Sequence, residues 1–182
     1  MSKAIGMVEY KTVSTGIQAA DLMIKTAEVD VLEAQTVCPG KYIVLISGEL
    51  SAVKASVEAS KEQFQSELID SFVLGNPHES IFPAIYGATT VENVKALGVV
   101  ETFSAASIIV AADVAAKTSM VDLIELRIAR GMCGKSYLFL TGDVAAVTAA
   151  IEKAESAVGD DGMYLDSSVI PSPDPKLWDS IL

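Results

Sequence analysis

Ala19-Ala20-Asp21-Leu22-Met23-Ile24-Lys25-Thr26-Ala27-Glu28-Val29-Asp30-Val31-Leu32-Glu33 returns as Ala111-Ala112-Asp113-Val114-Ala115-Ala116-Lys117-Thr118-Ser119-Met120-Val121-Asp122-Leu123-Ile124-Glu125, an offset of 92 positions from Ala19 to Ala111. The same offset pairs Gly6 with Gly98 and Glu9 with Glu101. Further along, Gly40-Lys41 meets Gly134-Lys135 and Gly48 meets Gly142 at an offset of 94, so the second copy has gained two residues just before Gly134. Asp70-Ser71 meets Asp166-Ser167 and Pro77 meets Pro173 at 96, which places a second gain around Gly159 to Gly162. Insertions confined to turns are what a surface connection tolerates. A duplication of this length sets the domain count at two, expected as residues 1–93 and 94–182.

Each copy carries its own pattern of elements. Ala4 to Tyr10 reads as a short strand, and Gly16 to Lys25 places Ile17, Ala20, Leu22, Met23 and Ile24 at spacings that suit a helix better than alternation. Val29 to Val37 and Tyr42 to Ser47 are β-rich runs separated by Cys38-Pro39-Gly40-Lys41, a hairpin turn by its Pro-Gly pair. Leu50 to Gln65 follows as a helix with Val53, Val57, Ser60 and Phe64 inward, then Leu68 to Leu74 as a strand. Asn76-Pro77-His78 is expected to start a short helix. The order β-α-β-β-α-β is the split β-α-β, ferredoxin-like arrangement of α+β class, an antiparallel sheet with helices on one face. Copy two repeats it, with Trp178 expected to pack from the last helix.

Composition narrows the function. The chain is 51% hydrophobic with mean hydropathy +0.41, yet its apolar runs, such as Ile43 to Ile46 and Ile108 to Ala112, are far too short to span a bilayer. The surplus apolar surface is expected to meet other subunits. A net charge of −11 with scattered basic residues argues against a nucleic-acid partner. Gly131-Met132-Cys133-Gly134 spells G-x-x-G without the basic company of a nucleic-acid clamp. Met1 to Ile5 lacks the apolar core of a signal peptide, and two cysteines make no disulfide framework, so a cytoplasmic protein with reduced thiols is expected. His78 is the only histidine and has no nucleophilic company, and the pairs Asp160-Asp161 and Glu152-Glu155 read as a solvated turn and helix face. The expectation is a protein that is not an enzyme.

Ala4-Ile5-Gly6-Met7-Val8-Glu9, the helix from Ala19 to Lys25, the turn before Gly40-Lys41, and Gly48 followed by Ala52-Val53 resemble the bacterial microcompartment shell domain, and they do so in both copies. The resemblance implies localisation in a microcompartment shell, with other shell proteins as partners. Single-domain members form six-sided tiles with a central pore, so a tandem chain implies a homotrimer. Cys38-Pro39 in copy one, with no counterpart in copy two, is most similar to the T-type members of propanediol-utilisation microcompartments, which implies an iron–sulfur cluster at the pore. It also implies a redox enzyme in the lumen as a possible partner. Lys25 and Lys117, each four residues after an aspartate, are expected at the tile edge together with Asn76 and His78. Asn76 and Ser172 stand where single-domain members carry an arginine that helps neighbouring tiles meet.

A lone cysteine is commonly a packed thiol. Cys38, however, lies in a turn, is followed by proline as in bacterial ferredoxins, and has Gly40 beside it to allow close backbone approach. A cubane has a three-fold axis, so one Cys38 from each of three chains could hold three irons of a shared 4Fe–4S cluster. Pro39, Gly40, Lys41, Arg130, Cys133 and Gly134 are expected in the pore loops, with Cys133 unliganded. Arg130, Lys41 and Lys135 could offset cluster charge or could be solvated pore charges. Two alternatives stand beside this reading: the same tile with a free Cys38 as a gated metabolite pore, and a tandem small-ligand sensor that binds an effector between its copies.

Overall fold

The computed structural model of the chain describes residues 4–91 and 94–181. The expected division after residue 93 falls on a pair of residues outside that description. Two compact units are present. The first holds the described residues through Pro77 together with Ser104–Ser107 and Ala129–Gly134, and the second holds His78–Phe103, Ile108–Ile128 and Lys135 onward.

In the first unit, β1 (Ala4–Tyr10), α1 (Val13–Thr26), β2 (Val29–Val37), β3 (Lys41–Gly48), α2 (Leu50–Gln63) and β4 (Leu68–Leu74) follow in order, with one 3₁₀ turn at Gln65–Glu67. The antiparallel sheet is ordered β2-β3-β1-β4. Helix α1 starts earlier than its apolar spacing predicts, because Thr12 caps it by accepting the Thr15 N–H. Helix α2 buries Val53, Val57 and Ser60 as expected, and Phe64 meets Tyr10 edge to face just past its end.

The second unit holds β5 (Ala96–Thr102), most of α4 (Ala105–Thr118), β6 (Val121–Arg127), β7 (Ser136–Gly142), α5 (Val144–Val158) and β8 (Tyr164–Ile170), with sheet order β6-β7-β5-β8. Both sheets even break register at matching places, after Glu9 and Glu101 and between Val31 and Glu33 or Leu123 and Glu125. Two short helices, α3 (Ile81–Ile85) and α6 (Pro175–Ile181), complete this unit. Trp178 is buried against Leu97 and Ile124. Leu97 alternates with Gly98, which faces α5, so α6 covers the sheet face that the long helix leaves open.

The short helix begins at Ile81 rather than at Asn76-Pro77-His78. The His78 N–H is taken by Asp113 Oδ1 at 2.8 Å and His78 Nδ1 by the Ser80 hydroxyl at 2.8 Å, so the first helical hydrogen bond comes only at Ile81 N–H to His78 C=O.

Gly6 and Gly98 show why the repeat keeps glycine in mid-strand. A β-carbon on Gly6 would lie 2.7 Å from Val53 and 2.8 Å from Val57, and one on Gly98 2.7 Å from both Leu140 and Val147. The long helix of each unit seats on that bare backbone. Gly98→Ala should therefore overpack this seat and lower the stability read by chemical denaturation by about 1–3 kcal/mol.

Candidate functional site

The turn between β2 and β3 is closed by the Gly40 N–H donating to Val37 C=O at 2.9 Å, with Gly40 at φ 107°. A β-carbon on Gly40 would meet nothing within 4 Å, so this glycine answers to backbone conformation and open space, not to crowding. Cys38 is half-buried, its peptide bond to Pro39 is cis, and its N–H donates to Ala129 C=O at 3.0 Å. The expectation of a hairpin turn at Cys38-Pro39-Gly40-Lys41 is met.

The segment Ala129–Gly134 lies in the same unit and supports this turn. Ala129 (φ 54°), Gly131 (72°), Cys133 (52°) and Gly134 (90°) are all left-handed. Two of these are not glycine, which marks a strained loop. Its last glycine is there for space: a β-carbon on Gly134 would sit 3.1 Å from Pro39 Cδ and from the end of Lys41. Thr36, Val37, Cys38, Pro39, Gly40, Arg130 and Gly131 line a cleft of about 510 Å³. Cys133 is exposed and does not line it.

The cations near the turn are already matched. Lys41 Nζ lies 2.8 Å from Glu9 Oε1 and 3.4 Å from Gly134 C=O, and its side chain is 16% exposed. Arg130 reaches both carboxylate oxygens of Glu33, at 3.0 and 2.9 Å. Lys41 and Arg130, expected as counter-charges or solvated pore charges, thus stand in ion pairs with Glu9 and Glu33, and Lys135 is exposed.

Sequence reasoning missed Glu9 as anything beyond a marker of register. It is fully buried, and besides Lys41 it accepts the Ala105 N–H at 2.8 Å through Oε2. Burial holds its carboxyl above the ordinary glutamate range, with the hydrogen bond from Lys41 opposing. Beside it across the sheet, Asp70 Oδ2 accepts hydroxyl hydrogen bonds from Ser104 and from Ser107, the latter at 2.6 Å. The only available signal was the recurrence of both acids in copy two.

The expected edge residues are spread out. Lys25 pairs with Asp21 at 2.6 Å on an open helix face, both more than 60% exposed. Lys117 pairs with Asp113 at the same distance, but Asp113 is buried and also holds the His78 N–H. Asn76 and Ser172 are exposed and His78 is half-buried. Among the described residues, no three His, Cys, Asp or Glu side chains gather in a metal-binding group. No helix there is long and apolar enough to cross a membrane.

Comparison with known proteins gives a consistent picture. The family model for the BMC domain matches residues 4–77 and again 96–173. The chain is 39% identical over 178 residues to the bacterial microcompartment shell protein PduT of Citrobacter freundii, covering 98% of this chain and 97% of that one. It is 35% identical over 88 residues to the carboxysome shell protein CsoS1 of Prochlorococcus marinus strain SARG, covering 47% of this chain and 85% of that protein. Among solved structures, a microcompartment protein of Desulfitobacterium hafniense DCB superposes with a TM-score of 0.85 at 49% identity, over 98% of this chain and 99% of that chain.

The buried pair yields a pH-dependent expectation. Lys41→Met strands a desolvated Glu9 and should cost about 3–5 kcal/mol near neutrality by urea denaturation. A carboxyl with a raised folded pKa favours the folded state when protonated, and that contribution is lost as pH rises through the folded value. The penalty of Lys41→Met should therefore shrink as the pH is lowered from neutrality and Glu9 takes up a proton.

Proposed function

The chain belongs to the BMC domain family, and on that premise we propose that it is a structural shell protein of a bacterial microcompartment. It is a tile, not an enzyme, that closes as a homotrimer and meets other shell proteins at its edges. The observation that carries this is the double match of one family domain, together with near-complete coverage by a shell protein 39% identical to it. Two similar domains in one chain need three chains to form a six-domain ring, and a closed ring leaves no interface surface unmet. The same match removes the ground for a tandem small-ligand sensor.

We further propose that the Cys38 thiolates of three chains hold a 4Fe–4S cluster at the trimer axis. The turn fits one third of such a site: the thiol is half-buried, Gly40 two residues on borders open space, and the Cys38 backbone is fixed by Ala129. One chain offers a single thiolate there, so the remaining ligands come from its neighbours. When bound, the cluster supplies one-electron transfer, across the shell or to a redox enzyme in the lumen, or serves as a delivered group. Cys38 supplies the ligand, Pro39 and Gly40 shape its approach, and Arg130 and Lys41 hold the two loops through Glu33 and Glu9. The already neutralised state of these cations favours the second reading, a tile with a free Cys38 and a metabolite pore. The two part on one measurement: anaerobically purified protein should contain iron and sulfide and absorb in the visible. Cys38→Ser should abolish both and leave the trimer intact, and Cys133→Ser should keep both. A colourless, iron-free wild type would support the pore.

Light scattering at micromolar concentration should give three times 19.1 kDa. For the edge, Lys25→Glu with Lys117→Glu should abolish sheet formation seen by electron microscopy while the trimer survives. Unchanged layers would make Lys25–Asp21 an ordinary helix-face pair worth about 0.3–0.5 kcal/mol and leave Lys117 as the partner of the buried Asp113.

A further inference from the structure

The first compact unit contains a contact whose matching half in the second unit is vacant. Glu9 and Asp70 are cross-strand neighbours on β1 and β4, and they receive the start of a helix, Ser104–Ser107. Glu9 accepts the Ala105 N–H, Asp70 accepts the hydroxyls of Ser104 and Ser107, and the Ser104 hydroxyl accepts the Ser107 N–H at 2.9 Å. Both acids thus sit where orphan N–H groups and the positive end of the helix dipole favour negative charge.

Copy two repeats the acids. Glu101 and Asp166 are cross-strand neighbours on β5 and β8. Asp166 even has the same local geometry: its Oδ1 accepts the Ser167 N–H at 2.8 Å, as Asp70 Oδ1 accepts the Ser71 N–H at 2.7 Å. In copy one that arrangement leaves Asp70 Oδ2 to the two serine hydroxyls. Yet Asp166 is exposed and Glu101 only half-buried, where Glu9 is fully buried. Among the described residues no side chain or helix N-terminus is found on Glu101. Copy one, in turn, repeats the serines: at the offset of 92, Ser104, Ala105 and Ser107 correspond to Thr12, Val13 and Thr15. Thr12 caps α1 as Ser104 caps α4, and it is exposed.

We infer that Glu101 and Asp166 of one chain receive the start of α1, Thr12–Thr15, of a second copy of the chain. Glu101 accepts the Val13 N–H, and Asp166 accepts the hydroxyl of Thr12, which is exposed where Thr15 is buried. The occupant is committed by the sequence itself, because the same acids already hold the same kind of helix start once within the chain. The contact is heterologous, head to tail, and so propagates around a ring. One feature of the template is not repeated. Arg130 matches Glu33, but residues 36–40 hold no arginine, and Glu125 has its own partners in Arg127 and the Tyr137 hydroxyl at 2.8 Å. Tyr137 is pushed up to about 12 by burial and by Glu125. The acids and the helix start therefore carry the junction without the arginine.

This inference rests on the trimer reading, and the test separates the two. Wild-type chain should sediment as a trimer, and Glu101→Lys with Asp166→Lys should dissociate it at least tenfold more readily, with unchanged circular dichroism, because Asp166 is exposed and bonds within its chain to the adjacent Ser167 N–H, and Glu101 is half-buried. In a Cys38→Ser, Cys133→Ser background, Thr12→Cys with Asp166→Cys should give covalent dimers and trimers on oxidation with diamide, and either cysteine alone should give no trimer. A trimeric wild type whose association is unmoved by the two lysines, or whose paired cysteines stay uncrosslinked, overturns the pairing and leaves the trimer reading standing. A monomeric wild type overturns both.

Discussion

Glu9 has no water around it, and everything near the Cys38 turn is arranged to make that tolerable. A buried carboxylate is destabilising unless its oxygens are matched, and here one oxygen faces the Lys41 ammonium and the other the Ala105 N–H. Lys41 opens β3 directly after the turn, so the ion pair fixes where the hairpin ends. The same ammonium reaches Gly134 C=O, which draws the left-handed loop against Pro39. Three segments far apart in sequence are thus aligned on one side chain. The price is rigidity in what would otherwise be an ordinary β-turn.

That arrangement sets apart the equivalent turns of two related repeats. Cys38 sits in a three-residue turn closed by the Gly40 N–H to Val37 C=O hydrogen bond, whereas Cys133 sits in the eight-residue connection 128–135, whose backbone is bent by four left-handed residues. The longer loop serves as a buttress. Its Ala129 C=O takes the Cys38 N–H, so the thiol on the shorter turn is held by backbone that the other copy supplies.

The fold was readable because period and punctuation agree. Glycines at Gly6 and Gly98, the Pro39-Gly40 turn and the alternation of Val29 to Val37 all report local constraints that hold without knowledge of distant partners. What escaped was set by contacts remote in sequence. The helix after Pro77 starts late because Asp113, far down the chain, captures the His78 N–H. Lys41 and Arg130 look like free pore charges until Glu9 and Glu33 are brought to them by the fold. Asp113 and Asp21 are the same residue in the repeat, yet one is buried and one exposed, a difference no pattern within either copy encodes. Cys38 was legible as a candidate ligand through its neighbours in the chain, while the loop that supports it was visible only as an insertion.

The completion of the first unit by Ser104–Ser107 and Ala129–Gly134 also has a bearing on biosynthesis. The ribosome releases Glu9, Lys41 and Asp70 long before it releases the serines and the loop that satisfy them. Until residue 105 has emerged, Glu9 Oε2 lacks the N–H that matches it in the folded unit. Docking of such late segments lengthens the contact order and delays folding. The first unit's buried acids are thus matched only by residues made as part of the second repeat.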